Sequence, residues 1–318
     1  MSYAGLRFSM VITLTAIIAL STLFFTVTLS LLGMFNLLTL AVFVVAFNIL
    51  QWLVAPYIID ALYRVQEISG IERPELYDIV EQLSRKSNIS TPRIMIANIP
   101  IPNAFAYGSP LAGTRVAITT GLLRVLEPEE VEAVISHELG HIKHKDVQVM
   151  MFISVLPALL YYIGYSLYVS ARYDRSRDRG SGAALLGSIS MLLYFALTLL
   201  VLRLSRLREY FADRHSVSII DDGGRKLSEA LAKIVTYTGR MNRFRDAKAF
   251  SNFKGLFIAD PDTAEKDLVE VGRLVGTSDQ QLVQRILSSN VSTIDSFFEV
   301  FSTHPNIVKR LRVLKSLQ

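Results

Sequence analysis

The chain has 318 residues, of which 51% are hydrophobic and only 19% charged, and its mean hydropathy is +0.37. Few water-soluble folds bury that much apolar surface, so the composition points to bilayer spans. The net charge of +5 comes from Lys and Arg spread over the polar segments, which gives no block suited to a nucleic-acid groove. There is no cysteine, which excludes disulfides and thiolate chemistry and leaves only His and carboxylates to build a metal site.

Four apolar stretches, at about residues 10–32, 37–59, 147–169 and 183–202, approach or exceed the roughly 20 residues that a helix needs to cross a bilayer core. Arg7 precedes the first, as in a signal peptide, but no small-x-small cleavage site follows before the next apolar run. Between the second and third stretches, residues 63–87 show a helical pattern that Thr91-Pro92 ends. Short β-like runs follow at 93–97, 104–107 and 115–119, punctuated by Pro100, Pro102, Gly108, Pro110 and Gly113. Pro128 with Glu129 and Glu130 marks a helix start, since Pro fits the first turn and acids there favour the dipole. That helix is expected to run on into the third span. After the fourth span the chain is polar, with helical pieces at 204–217, 225–237, 264–275, 279–289 and 304–317.

The charge distribution bears on orientation. Lys and Arg number nine in residues 56–146 and nineteen in 203–318, while the first short loop, near Gly33, has none. Basic residues gather on the cytoplasmic side of spans, so both large polar segments are expected inside, although four Arg at 172, 175, 177 and 179 pull weakly the other way.

The expected helix after Pro128 carries His137-Glu138-Leu139-Gly140-His141, the pattern HExxH. Residues four apart share a helix face, so both imidazoles can reach one ion, and Glu138 can act as general base toward a water on it. Three of the five His of the chain, His137, His141 and His144, lie on this segment. Zinc needs a third protein ligand. His144 sits about one sixth of a turn off the shared face and would crowd the site. The longer HExxHxxGxxH pattern is absent, because position 144 is His and position 147 is Val. Glu209 is the better candidate. It shares a helix face with Asp213, so one can ligate while the other orients a ligand imidazole. Two spans separate it from the HExxH segment, which returns the chain to the same membrane side. Gly140 costs about 1 kcal/mol in a helix, and close access for the ion or a neighbouring strand is the expected return.

HELGH followed by Asp146, then SRLREYFAD at 205–213, then STHPNIVKRL at 302–311, resembles in content and order the HtpX-like membrane metalloproteases. These are quality-control endopeptidases of the gluzincin type, related to the CAAX prenyl endopeptidases. The resemblance implies that His137, His141 and Glu209 bind one zinc ion per chain and that Glu138 is the base. It implies that Asp213 and Asp146 support ligand His residues, that His304 faces the developing oxyanion, and that Arg310 braces the region of the ligand carboxylate. Asn103, Ala104 and Phe105 match a segment beside the substrate groove, where peptide backbone can pair as an added strand.

The expected fold is α+β and mostly helical, a zincin-like catalytic domain with a small β-sheet fused to four transmembrane helices. Residues 1–59 would hold two spans, 60–146 and 203–318 the two halves of the catalytic domain, and 147–202 a membrane hairpin. The expected function is a zinc endopeptidase of the cell membrane, with both termini and the active site cytoplasmic. Its partners would be the bilayer and misfolded or membrane-adjacent polypeptides. Three other readings stand beside it: a non-proteolytic membrane scaffold or chaperone, a CAAX-type prenyl-peptide endopeptidase, and a site-2-type intramembrane protease using Asp222-Gly223.

Overall fold

The computed structural model describes residues 37–173, 177–242 and 278–318, so the expected first span and the helical piece at 264–275 lie outside the described residues. The described chain is mostly helical with one small mixed sheet. Its elements in order are α1 (Leu37–Tyr63), β1 (Val65–Glu67), α2 (Pro74–Ser87), β2 (Arg93–Ala97), β3 (Ala104–Ser109), β4 (Gly113–Thr119), α3 (Thr120–Val125), α4 (Pro128–Lys143), α5 (Asp146–Tyr173), α6 (Arg177–Ile219), α7 (Gly223–Asn242), α8 (Asp279–Ser288), α9 (Thr293–Glu299) and α10 (Ile307–Lys315).

The contacts divide the chain into two compact units. One joins the described residues up to Trp52 with Gln148–Leu207, and the other joins Leu53–Val147 with the described residues from Arg208 onward. In the first unit, α5 and α6 pack through Ile153, Leu160, Ile163, Leu167, Leu197 and Leu204. Small residues let these helices approach: a Cβ on Gly187 would lie 3.1 Å from the Gly164 carbonyl, and Ser190 Oγ donates to Leu160 O at 2.7 Å. Among the described residues, two helical stretches are long and apolar enough to cross a membrane, Asp146–Tyr165 and Gly182–Ile219. The α1 helix covers the expected second span, and its Trp52–Tyr63 part is a shorter apolar stretch.

The second unit is built on the sheet, whose strand order is β1-β2-β4-β3. β1 runs antiparallel to β2, β2 parallel to β4, and β3 antiparallel to β4. Side chains alternate across a strand, which gives the sheet two apolar faces. Ile94, Ala104, Val116 and Ile118 join the main core with Leu76, Val80 and Leu83 of α2, the buried side of α4, and residues of α7, α8 and α10. On the other face, Met95, Phe105, Tyr107 and Ala117 pack with Ile59 near the end of α1 and Val65 of β1. The β3–β4 turn needs its glycines, because Gly113 has φ +72° and a Cβ on Gly108 would strike the Gly113 carbonyl at 2.4 Å.

Two expected helices are corrected here. The pattern over residues 63–87 is not one helix: Arg64 takes a left-handed φ of 49°, β1 pairs with β2, and α2 begins only at Pro74. The helix bearing HExxH does not run on into the third span either. It ends at Lys143, and Lys145 turns with φ 55° before α5 begins at Asp146.

Candidate functional site

α4 starts with a capping box. Glu130 Oε2 accepts the Glu127 N–H at 2.7 Å, the Glu127 side chain accepts in return, and Pro128 fills the first turn. From Glu130 to Gly140 most of the helix is buried, including His137 at 0% and Glu138 at 4% exposure. α6 crosses α4 closely at Gly140, where a Cβ would stand 3.1 Å from Ala212 Cα and 3.2 Å from His215 Cβ. Gly140 therefore makes room for a helix, rather than for the ion or strand that its position in the sequence suggests.

This crossing puts Glu209 and Asp213, one turn apart on α6, opposite His137 and His141. His137 Nδ1 lies 3.0 Å from Asp213 Oδ1, and His141 Nδ1 lies 2.6 Å from Asp146 Oδ2. The break at Lys145 is what lets Asp146 reach back to His141. With each Nδ1 directed at a carboxylate, both Nε2 atoms turn to a common space and stand 3.2 Å apart. Two ring lone pairs at that distance repel unless a cation, a proton or a metal, sits between them. Glu209 faces the same space, with Oε2 3.6 Å from His137 Nε2 and Oε1 3.5 Å from His141 Nε2.

The donor set fits zinc. A tetrahedral ion bound at about 2.0–2.1 Å holds its ligand atoms about 3.3 Å apart, close to the three separations found. Glu209 Oε2 is buried and accepts no hydrogen bond, although Arg310 Nη1 lies 3.2 Å from it. The buried charges agree. Glu138, Glu209, Asp213 and Asp146 set four buried carboxyl groups against the two guanidinium groups of Arg208 and Arg310, an excess of acids that favours a cation. Glu138 also lies within 4.8 Å of both His donors, but its Oε2 accepts the Ala106 N–H at 2.9 Å, so its carboxylate is held from β3.

The remaining expected residues are placed as follows. Arg310, 2% exposed, donates to Asp213 at 2.7 and 2.6 Å through Nε and Nη2, and so ties α10 to α6. His304 Nε2 lies 3.9 Å from Glu209 Oε1, with Thr303 Oγ1 3.0 Å from its Nδ1. Ala104 opens β3. Asn103 and Phe105 are buried at 3% and 4%, and the Asn103 backbone faces β4, its N–H donating to Thr119 Oγ1 and its C=O accepting the Thr119 N–H, each at 2.9 Å. His144 turns away: its Nδ1 meets the Gly140 carbonyl at 2.7 Å and its ring packs edge-on to His215.

Sequence reasoning missed Arg208, whose Nη2 holds Asp146 Oδ1 at 2.6 Å, and the backbone N–H of Ala106. Arg208 directly precedes Glu209, yet nothing in its spacing marks it. Ala106 acts through an amide that every residue but proline has.

The electrostatics separate the two imidazoles. Burial and the Arg310 charge push His137 down, but its bond to Asp213, the nearby Glu209 carboxylate and the charge of Asp213 outweigh them and lift it to about 9. Burial dominates at His141 and lowers it to about 4. Burial also raises the Glu138 carboxyl, against the charges of His141 and His137. With its pKa raised to about 9, a protonated His137 would supply the cation between the two Nε2 atoms in the metal-free protein.

The Peptidase family M48 model matches residues 71–318. A Protease HtpX homolog of Thermoplasma acidophilum is 40% identical over 279 residues, covering 85% of this chain and 82% of that protein. One of Aeropyrum pernix is 38% identical over 286 residues, covering 87% and 85%. Protease HtpX homolog 2 of Sulfurisphaera tokodaii is 36% identical over 282 residues, covering 86% and 84%. Among solved structures, the crystal structure of S. mikatae Ste24p shares the fold, with TM-score 0.56 and 17% identity over 98% of this chain and 67% of that one. By the extent of the family match and the identity to these relatives, the chain belongs to peptidase family M48 and is HtpX-like.

Proposed function

We propose that this protein is a zinc-dependent endopeptidase of the cell membrane that cuts misfolded or membrane-associated polypeptides. The observation that carries the reading is the common space onto which His137 Nε2, His141 Nε2 and a Glu209 carboxylate converge at zinc-ligand spacing. Zinc held there would polarise a peptide carbonyl and bring the pKa of a water to about 7.

The protein's own groups do the rest. Asp213 and Asp146 fix the ring orientation and tautomer of His137 and His141. Glu138 takes the proton of the attacking water and passes it to the leaving amine, a task that its raised pKa suits. Arg310 holds the Glu209 and Asp213 carboxylates in place. His304, whose Nε2 lies 3.9 Å from Glu209 Oε1, would donate to the oxygen that gains negative charge.

Among the described residues β3 is an edge strand, with β4 on one side and its Ala106 N–H directed at Glu138 on the other. A peptide would extend along that edge beside residues 103–105 as an added strand. Four spans, with both polar segments cytoplasmic, complete the reading, supported by the charge distribution and the two described apolar helices.

The test is Glu138→Gln, which keeps shape and removes the base. The purified variant should retain zinc and lose cleavage of an unfolded protein such as casein by about 10²–10⁴-fold. Undiminished cleavage would refute the mechanism.

A further inference from the structure

The end of α1 holds the outer face of the β3–β4 hairpin through one carboxylate. Asp60 Oδ1 accepts the Tyr107 hydroxyl of β3 at 2.6 Å, and Asp60 Oδ2 accepts Arg115 Nη1 of β4. Arg115 and Tyr107 are 6% and 4% exposed while the Asp60 side chain is 24% exposed, so both contacts are partly shielded from water. The guanidinium lies 5.6 Å from the Tyr57 ring centre and 5.9 Å from that of Tyr107, within cation–π range, and Arg115 Nε donates to Ala112 O at 3.3 Å. A further tie joins the same elements: Ser109 Oγ donates to Leu53 O at 3.3 Å and accepts the Ala112 N–H at 3.2 Å.

Stability alone does not explain an ion pair at this place. Apolar residues of similar volume often serve a buried site as well or better. What the pair adds is direction. Among the described residues β3 has one strand neighbour, and a strand paired on one side slips and twists more easily than a central one. Tyr107 follows Ala106, so a fixed Tyr107 side chain fixes the rotation of β3 and the aim of the Ala106 N–H at Glu138.

We infer that Asp60 is a positioning residue for peptide binding: by holding Tyr107 and Arg115 it locks the register and twist of β3, so that the strand offers a preset edge to an extended polypeptide. This rests on the reading that the free edge of β3 takes the substrate. A loose edge would cost binding of long substrates more than the chemical step, because ordering the strand would then be charged against each association.

The experiment uses the full chain with zinc, as Asp60→Ala, Tyr107→Phe, which removes only a hydroxyl, and Leu231→Ala, a core change in α7 far from the hairpin in sequence. Asp60→Ala should raise KM for an unfolded protein substrate about 10-fold while kcat falls less than about 3-fold, with Tyr107→Phe between it and the parent. Zinc content should not change. Amide hydrogen exchange should quicken about 10-fold in residues 104–109 of the Asp60→Ala and Tyr107→Phe proteins and stay unchanged in 93–97. Leu231→Ala should lower the unfolding temperature without moving KM or the exchange of β3.

An unchanged KM together with unchanged β3 exchange overturns the inference, and so does the same KM rise in Leu231→Ala. A parent protein that never cleaves defeats the peptidase reading instead, and the exchange of residues 104–109 still decides whether Asp60 holds the strand. If Asp60→Ala does not fold, Tyr107→Phe carries both readouts.

Discussion

His137 and His141 face carboxylates across the contact of α4 with α6, whereas His144 and His215, further along the same two helices, face each other, a backbone carbonyl and Ser87. Both pairs are set in largely buried surroundings on the same scaffold. In the first pair each Nδ1 meets a carboxylate and each Nε2 turns to a shared space, so the pair needs a cation. In the second, His215 Nε2 meets Ser87 Oγ at 2.9 Å and His144 Nδ1 meets Gly140 O at 2.7 Å, so neutral rings are satisfied by neutral partners. The acids that surround a buried histidine decide whether it is disposed to hold a cation, and helix spacing alone does not separate His141 from His144.

The comparison can be broken from the charged side first. Asp213→Ala would remove the two hydrogen bonds that Arg310 donates to Asp213 and leave His137 Nδ1 without its carboxylate partner. The metal-free protein should lose about 3 kcal/mol of unfolding free energy, measured by denaturant titration. A loss below about 1 kcal/mol would mean that these charges are not the buried network described here.

The proton on His137 offers a gentler test. Its pKa is raised to about 9 against an ordinary 6.5, so the metal-free protein gains stability from that proton below about pH 6.5 and loses the gain as the pH rises through about 9. Zinc must displace the proton. Calorimetry at pH 7 in buffers of different ionisation enthalpy should record about one proton released per zinc, and log K should climb by about one per pH unit below pH 9. His141, at about 4, is already neutral and adds no proton at pH 7. Release of no proton would assign the cation position to zinc alone.

The neutral cluster should yield least. Ser87→Ala removes one buried hydrogen bond to His215 and should cost about 1 kcal/mol of stability, leaving zinc content and cleavage unchanged. Loss of zinc in that variant would join the two clusters into one site.

How much of this the sequence disclosed follows from the range of each interaction. β2 at 93–97 and the start of α4 at Pro128 were legible, because alternation, a proline and first-turn acids are local signals. The same local reading failed at β1. Three residues are too few for a period, and pairing with β2, a long-range effect, set their conformation. It failed again at Lys145, where the left-handed residue that ends α4 carries no glycine to mark it.

The convergence of His137, His141, Glu209 and Asp213 was legible from motif spacing, since these residues share helix faces four residues apart. Arg208 with Asp146, and Asp60 with Tyr107 and Arg115, bridge residues 47 to 62 apart in the chain, and such pairs leave no period to find.

The most direct test is the zinc content of the purified protein after metal-free purification and titration with one equivalent of zinc, in the parent, Glu209→Ala and His144→Ala, with X-ray absorption at the zinc edge. The account predicts one tightly held zinc in the parent and in His144→Ala, with two imidazole nitrogens and oxygen ligands at about 2.0–2.1 Å, and loss of tight binding in Glu209→Ala. Full retention of zinc in Glu209→Ala, or its loss in His144→Ala, would contradict the division between the two histidine pairs.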